Sequence, residues 1–178
     1  LGCKVLELGR AFIKHTGIIK VTLPFLKKLT ATIQENSYLG ILKANQVYYM
    51  KEVEAQQTLR VASRIGSSLS PLCTASGKVL LAFSSKEELN LVIQENEFIP
   101  YTPNTITDRK TFLKQLKEIR EQRYAIDNEE LDIGIICIAA PIFNYNNDIV
   151  GTVTVSGPSS RLITPKLEDF YLPAVIQC

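Results

Sequence analysis

Three groups of residues have the types and spacing that could do chemistry. The first is Cys73-Thr-Ala-Ser-Gly-Lys78, which runs into the helix-forming Val79-Leu-Leu-Ala82. With Thr74 as the cap, the N–H groups of Ala75, Ser76 and Gly77 stand free at the positive end of a helix, a place that favours a carboxylate or phosphate. Small side chains there let a ligand approach the backbone. The alternative is a tight helix entry packed on a sheet, with Gly77 supplying only space. The second group is Asp127, between Ala125-Ile126 and Asn128-Glu-Glu130, and Cys137, among Ile135, Ile136 and Ile138. Asp127 is either a solvated loop acid or a functional carboxylate, and a cysteine in apolar company ordinarily behaves as a small hydrophobe. Together they make a poor metal set, two ligands without a histidine. The third group is a row of small hydroxyls, Thr152, Thr154 and Ser156, alternating with Val150, Val153 and Val155. In a strand such a row lines one face, where it can contact a polar small molecule while the valines face a core.

Enzyme chemistry finds little support. The one histidine, His15, is remote in sequence from every cysteine or serine candidate and sits on the polar side of its segment. A histidine-dependent triad needs it beside a nucleophile, with a third group orienting it. Gly77-Lys78 is not a phosphate-binding loop, because position 72 is Leu and position 79 is Val. There is no GxGxxG.

The elements that must position these residues follow from periodicity. Leu1, Val5, Leu6 and Leu8 before Gly9 suit the end of a linker helix, and Thr16 to Gln34 carries Val21, Phe25, Leu26, Leu29 and Ile33 at helical intervals. Pro24 places the start of that helix near Thr22 or Leu23, where the missing N–H costs nothing. Strands are expected at 38–43, 47–53 and 59–64, with an Ala44-Asn45-Gln46 turn, and Gly66 to Pro71 reads as loop. Ser85-Lys-Glu-Glu88 is a capping box for a helix through Asn96. Asp108 caps another, with Phe112, Leu113, Leu116 and Ile119 as its apolar stripe and Arg109, Lys110, Lys114, Lys117, Arg120 and Arg123 on a face that is ordinarily solvated. Tyr124-Ala-Ile126 is a short strand. The β-branched runs from Leu131 and from Ile149, flanking the polar Asn144–Asp148, form a long hairpin, and Pro165 starts a last helix. Hairpins at both ends with helices between predict an α+β domain, a GAF- or PAS-like antiparallel sheet flanked by helices.

Bulk properties bound the rest. The 178 residues fit one domain with a substantial core, 46% hydrophobic and 21% charged. A net charge of +2 advertises no nucleic-acid surface. No apolar run reaches the ~18 residues of a membrane span, and no signal-peptide pattern opens the chain. Cys3, Cys73, Cys137 and Cys178 form no CxxC pair, which argues against structural zinc and suits reduced thiols in the cytoplasm.

Read in order, several blocks resemble the IclR family of bacterial transcription regulators. They are Leu1-Gly…Val-Leu-Glu-Leu-Gly9, Pro71-Leu…Ala-Ser-Gly-Lys-Val-Leu-Leu-Ala82, Thr105-Ile-Thr-Asp108, Tyr124-Ala-Ile-Asp-Asn-Glu-Glu130, Gly134-Ile-Ile-Cys-Ile-Ala-Ala-Pro141 and Ser156-Gly-Pro-Ser-Ser-Arg161. The resemblance implies that residues 15–178 are the C-terminal effector-binding domain and 1–14 the end of a linker from a winged helix-turn-helix that this chain lacks. It carries the effector pocket onto Ala75, Ser76, Asp127, Ile135, Cys137, Thr154 and Ser156. The implied partners are a small organic acid, a second copy in a homodimer or tetramer, and operator DNA through the N-terminal domain. No catalytic role, metal, cofactor or membrane contact is expected. Ala75 and Thr154 depart from the family's commonest pattern, which leaves the effector's identity open. Two rival readings are a stand-alone GAF- or PAS-like sensor and a small hydrolase or transferase using Cys137 or Cys73.

Overall fold

The computed structural model describes residues 17–163 and 167–178. The expectations for residues 1–14, His15 and Pro165 lie outside these residues. Six strands, β1 (Asn36–Lys43), β2 (Gln46–Val53), β3 (Ser68–Leu69), β4 (Ala125–Asn128), β5 (Ile135–Phe143) and β6 (Ile149–Pro158), form one sheet in the order β3-β2-β1-β6-β5-β4. Every neighbouring pair is antiparallel. With the helices described below, this is the expected α+β architecture.

Two hairpins build most of the sheet. Ala44 and Asn45 both take positive φ, 46° and 58°, the two-residue turn geometry whose twist matches the strands it joins. The β5–β6 hairpin turns through Asn144–Asp148, where the Asn144 side-chain oxygen accepts the N–H groups of Asn146 and Asp148 at 2.9 Å. Pairing of β1 with β6 then joins the two hairpins, with Tyr38 opposite Thr154 and Asn36 opposite Ser156.

The period of two along each strand sorts side chains between two faces. Ile136, Ile138, Ala140, Val153 and Val155 pack with Leu26, Leu29 and Ile33 of helix α1 (Gly17–Ile33). The same cluster takes in Leu162 of the short α5 (Ser159–Leu162), Tyr171 of a π-helical turn (Leu167–Tyr171) and Val175 of α6 (Leu172–Ile176). On the other face Ala125 and Ala139 meet helix α2 (Ala75–Phe83), flanked by α3 (Lys86–Glu95) and α4 (Arg109–Gln122). Ser85 and Asp108 cap α3 and α4 by accepting the N–H groups of Glu88 and Thr111. Truncating a wholly buried residue such as Ile138 to alanine costs about 2–5 kcal/mol.

Five local expectations fail. Helix α1 runs through Pro24 rather than starting beside it. Lys20, whose carbonyl loses its partner, lies on the solvent side together with Pro24, so water can take that bond. The stretch 59–64 is not a strand. Leu59 is exposed, and its carbonyl and that of Val61 accept from Arg161 Nη2 at 2.8 Å and Asn36 Nδ2 at 3.1 Å instead of a ladder. The strand beside β2 is Ser68–Leu69, inside the segment read as loop. Leu131–Gly134 is a turn, so β5 starts at Ile135, and Gly134 has φ +84°. Val150 shares the parity of the hydroxyl row and lies exposed near the strand's end, not with Val153 and Val155 in the core.

Candidate functional site

Strand register brings the chemical residues together. Asp127 lies directly opposite Cys137, Cys137 opposite Ser156, and Ser156 opposite Asn36, one row across four strands. The next row is Ala125, Ala139, Thr154 and Tyr38. Both rows face helix α2. Direct cross-strand partners sit about 4.5–5.5 Å apart, and the Cys137 thiol donates to Ser156 Oγ at 3.2 Å.

A cavity of about 20 Å³ opens over the first row. The sheet supplies Asp127, Ile135, Cys137 and Ser156 together with Tyr38 and Tyr49, and α2 supplies its cap, Thr74. Leu69 of β3 lines it as well, and the segments outside the sheet contribute Val61 and Arg64 on one side and Leu131 and Asp132 on the other. Arg64 and Asp132 form an ion pair at partly exposed side chains. This volume suits about one water molecule.

Four of the seven residues expected at an effector pocket therefore line this cavity: Asp127, Ile135, Cys137 and Ser156. Ala75, Ser76 and Thr154 do not. They lie fully buried behind it, where the Ser76 and Thr154 hydroxyls are 2.7 Å apart and Ser76 Oγ is 3.0 Å from the Tyr49 hydroxyl. The N–H groups expected to stand free at the start of α2 are not all free. Thr74 Oγ1 accepts from Gly77 at 3.2 Å and donates to the Ser70 carbonyl at 2.9 Å. Tyr38, Tyr49, Arg64, Leu131 and Asp132 had no local signal in sequence, because only tertiary pairing brings them here.

Asp127 is not a solvated loop acid. It lies on β4, 3% exposed, and its Oδ1 accepts the Glu130 N–H at 2.7 Å. Burial pushes its carboxyl up to about 7, against the lowering effect of the Lys78 charge and the Glu130 N–H. Lys78 is wholly buried and donates to Glu130 Oε1 at 2.5 Å and to the Ile126 carbonyl at 2.8 Å. Burial, then the Asp127 charge, pushes the Cys137 thiol well above its ordinary value, and burial raises Cys73 to about 12. Both thiols are thus protonated at neutral pH, whereas a thiol nucleophile needs its thiolate. The phenols of Tyr38 and Tyr49 are likewise held neutral by burial. The arrangement can offer hydroxyl, thiol and phenol donors, and a carboxyl that changes charge near neutrality.

Among the described residues, no cluster of three or more His, Cys, Asp or Glu is placed to hold a metal, and no helix is long and apolar enough to cross a membrane. Wider open grooves exist on the opposite face, one of about 310 Å³ lined by Phe25, Leu29, Ala174 and Cys178 among others. A second, of about 340 Å³, is lined by Lys27, Thr30, Gln34, Glu54 and Gln56 among others. Both are larger than the cavity over β4–β6, but neither contains a residue of the rows that cross β4, β5 and β6.

Comparison with known proteins places the chain. The profile of the family described as bacterial transcriptional regulator IclR, C-terminal, matches residues 10–178. The HTH-type transcriptional repressor AllR of Escherichia coli K12 is 32% identical over 162 residues, 91% of this chain and 60% of AllR. The chain thus spans less than two thirds of that relative. The crystal structure of Thermotoga maritima IclR superposes with a TM-score of 0.88 at 33% identity, covering 98% of this chain and 70% of that one. The inducer-binding domain of an Acinetobacter PobR transcription factor, a double mutant in complex with 3-hydroxybenzoic acid, superposes at 0.79 with 29% identity over 88% of this chain and 91% of that one.

Proposed function

This chain belongs to the bacterial IclR family of transcription regulators as its C-terminal domain, and on that premise we propose that it senses a small carboxylate in the cavity over β4–β6. The single observation that carries the reading is the cross-strand row Asp127–Cys137–Ser156 opening onto that cavity. Ser156 donates a hydrogen bond to the effector. Asp127 donates when protonated and accepts when ionised, and Ile135 and Cys137 form the less polar wall. Ala75, Ser76 and Thr154 act one layer behind, fixing α2 on the sheet through the Ser76–Thr154 contact.

The cavity of about 20 Å³ has no room for an organic acid. Binding therefore selects an arrangement in which the covering residues have moved apart, and a ligand shifts an equilibrium by its differential affinity for the two states. Residues 15–178 form the sensing domain, with 1–14 as the end of a linker to a winged helix-turn-helix. Two or four copies would set the spacing of those DNA-reading units against operator half-sites. Such a regulator acts in the cytoplasm and catalyses no reaction, in keeping with the neutral thiols of Cys73 and Cys137.

A thermal-shift screen against pyruvate, glyoxylate, sugar acids and aromatic acids tests the reading. Specific stabilisation that Ser156→Ala and Asp127→Ala both abolish is the expected result. Stabilisation insensitive to both substitutions would move the site elsewhere, and no stabilisation by any acid would remove the carboxylate class.

A further inference from the structure

A carboxylate is held most strongly by a donor that carries positive charge, and the start of α2 is a poor source of one here, since Thr74 already caps the Gly77 N–H and Ala75 and Ser76 do not line the cavity. Asp127 is acidic, and the buried ammonium of Lys78 is committed to Glu130 and the Ile126 carbonyl. Among the residues that line the cavity, Arg64 alone is a cation. Its present partner, Asp132, lines the same cavity, and the two side chains are 31% and 41% exposed. An ion pair this open to water holds weakly. Its neighbour in charge type, Arg161, makes the contrast: it binds both oxygens of Glu35, a carboxylate only 2% exposed.

The backbone that carries Arg64 is also free of ladder bonds. Between Val53 and Ser68 the chain makes no strand or helix. It is pinned by side chains of β1, α5 and β2: Asn36 at the Val61 carbonyl, Arg161 at the Leu59 carbonyl, and Glu52, which accepts from Ser63. Arg64 meets Asp132 through Nη2 alone, and a guanidinium on such a segment can turn to another carboxylate and offer it a two-nitrogen fork.

We propose that Arg64 anchors the effector's carboxylate and that Asp132 is its built-in competitor, an internal acid that the effector displaces as the cavity opens. This rests on the carboxylate-sensor reading above and adds to it the group that makes the site selective for anions. An uncharged analogue leaves the Arg64–Asp132 pair in place and gains nothing from Arg64.

The test compares wild type, Asp132→Asn, Arg64→Gln and the Arg64→Gln/Asp132→Asn double variant of the 178-residue chain. The probes are formate, pyruvate and 3-hydroxybenzoate, with pyruvamide and 3-hydroxybenzamide as neutral controls, all at matched ionic strength. Removing the competitor should let formate raise the Tm of Asp132→Asn, with no rise in the double variant. Arg64→Gln should weaken the two larger acids by about tenfold or more, the loss of a charge-assisted bidentate contact, and leave the amides unchanged. Equal formate responses from Asp132→Asn and the double variant would overturn the proposal. So would equal weakening of acids and amides by Arg64→Gln, which would make Arg64 a prop for the segment. If Ser156→Ala abolishes acid binding while Arg64→Gln changes nothing, the cavity stands and Arg64 falls. If formate acts through Arg64 but no larger acid binds wild type, Arg64 stands as an anion site and the organic-acid reading falls.

Discussion

Lys78 Nζ lies 2.5 Å from Glu130 Oε1 with both side chains almost wholly out of water, tying the first turn of α2 to the loop that follows β4. The Glu130 N–H in turn holds Asp127, so this pair fixes the helix cap and the acid row relative to one another. Glycine precedes the lysine because a Cβ at position 77 would stand 2.3 Å from the Pro71 backbone. The motif Gly-Lys is therefore a packing and positioning device.

Breaking this pair from one side leaves a buried charge uncompensated. Lys78→Met or Glu130→Gln alone should lower stability by about 3–5 kcal/mol in urea denaturation, and the double Lys78→Met/Glu130→Leu by less than either single change. Single variants within ~1 kcal/mol of wild type would show that the pair is not buried as described.

Gly77→Ala should destabilise at or beyond the upper end of the ~1–3 kcal/mol usual for overpacking, because the atoms it meets are backbone and cannot rotate away. A thermal melt checks this. A wild-type Tm would contradict the close approach of α2 to Pro71.

The carboxyl of Asp127 titrates near 7 in the folded protein against an ordinary 3.8. Below 3.8 folded and unfolded chains both hold this proton. Between 3.8 and about 7 only the folded chain holds it, so stability falls as pH rises through that window and levels off above it. The full effect is at most ~4 kcal/mol. Asp127→Asn keeps an acceptor for the Glu130 N–H but cannot ionise, so its stability relative to wild type should grow from pH 4 to pH 7.5. A constant difference would contradict the buried carboxyl. Carboxylate affinity should also decline above about 7 in wild type, as Asp127 becomes charged, and less so in Asp127→Asn.

Thr154 and Ser156 sit two residues apart on one face of β6 but are expected to behave oppositely. Thr154→Val removes a hydroxyl that meets Ser76, away from the cavity lining, and should cost about 1–2 kcal/mol of stability with acid affinity nearly unchanged. Ser156→Ala should leave stability nearly unchanged and weaken the acid. Calorimetric binding beside denaturant melts separates the two, and loss of affinity in Thr154→Val would put that residue back in the site.

The two hairpins and the capped helices were legible because each rests on local signals: the Ala44-Asn45-Gln46 turn, Ser85 and Asp108 as caps, and the β-branched runs on either side of Asn144–Asp148. The pairing of β4 with β5, which sets Asp127 beside Cys137, was not. Hydroxyl alternation placed Ser156 on the cavity face but could not tell it from Thr154. That difference depends on where α2 begins, which is fixed by the close approach of Gly77 to Pro71, far in sequence from either residue. The 59–64 stretch misled because its apolar spacing suits a strand, yet Asn36 and Arg161 take the carbonyls a strand would use. Arg64, Asp132, Tyr38 and Tyr49 reach the cavity only through pairings dozens of residues apart, which no local pattern encodes.

The most direct test of a carboxylate site over β4–β6 is a backbone amide chemical-shift map of the 178-residue chain titrated with the acid that stabilises it most. The largest shifts should fall on Asp127, Cys137, Ser156 and the 61–69 segment. Shifts centred instead on the groove of Phe25, Leu29 and Cys178, or on no contiguous set of residues, would contradict it.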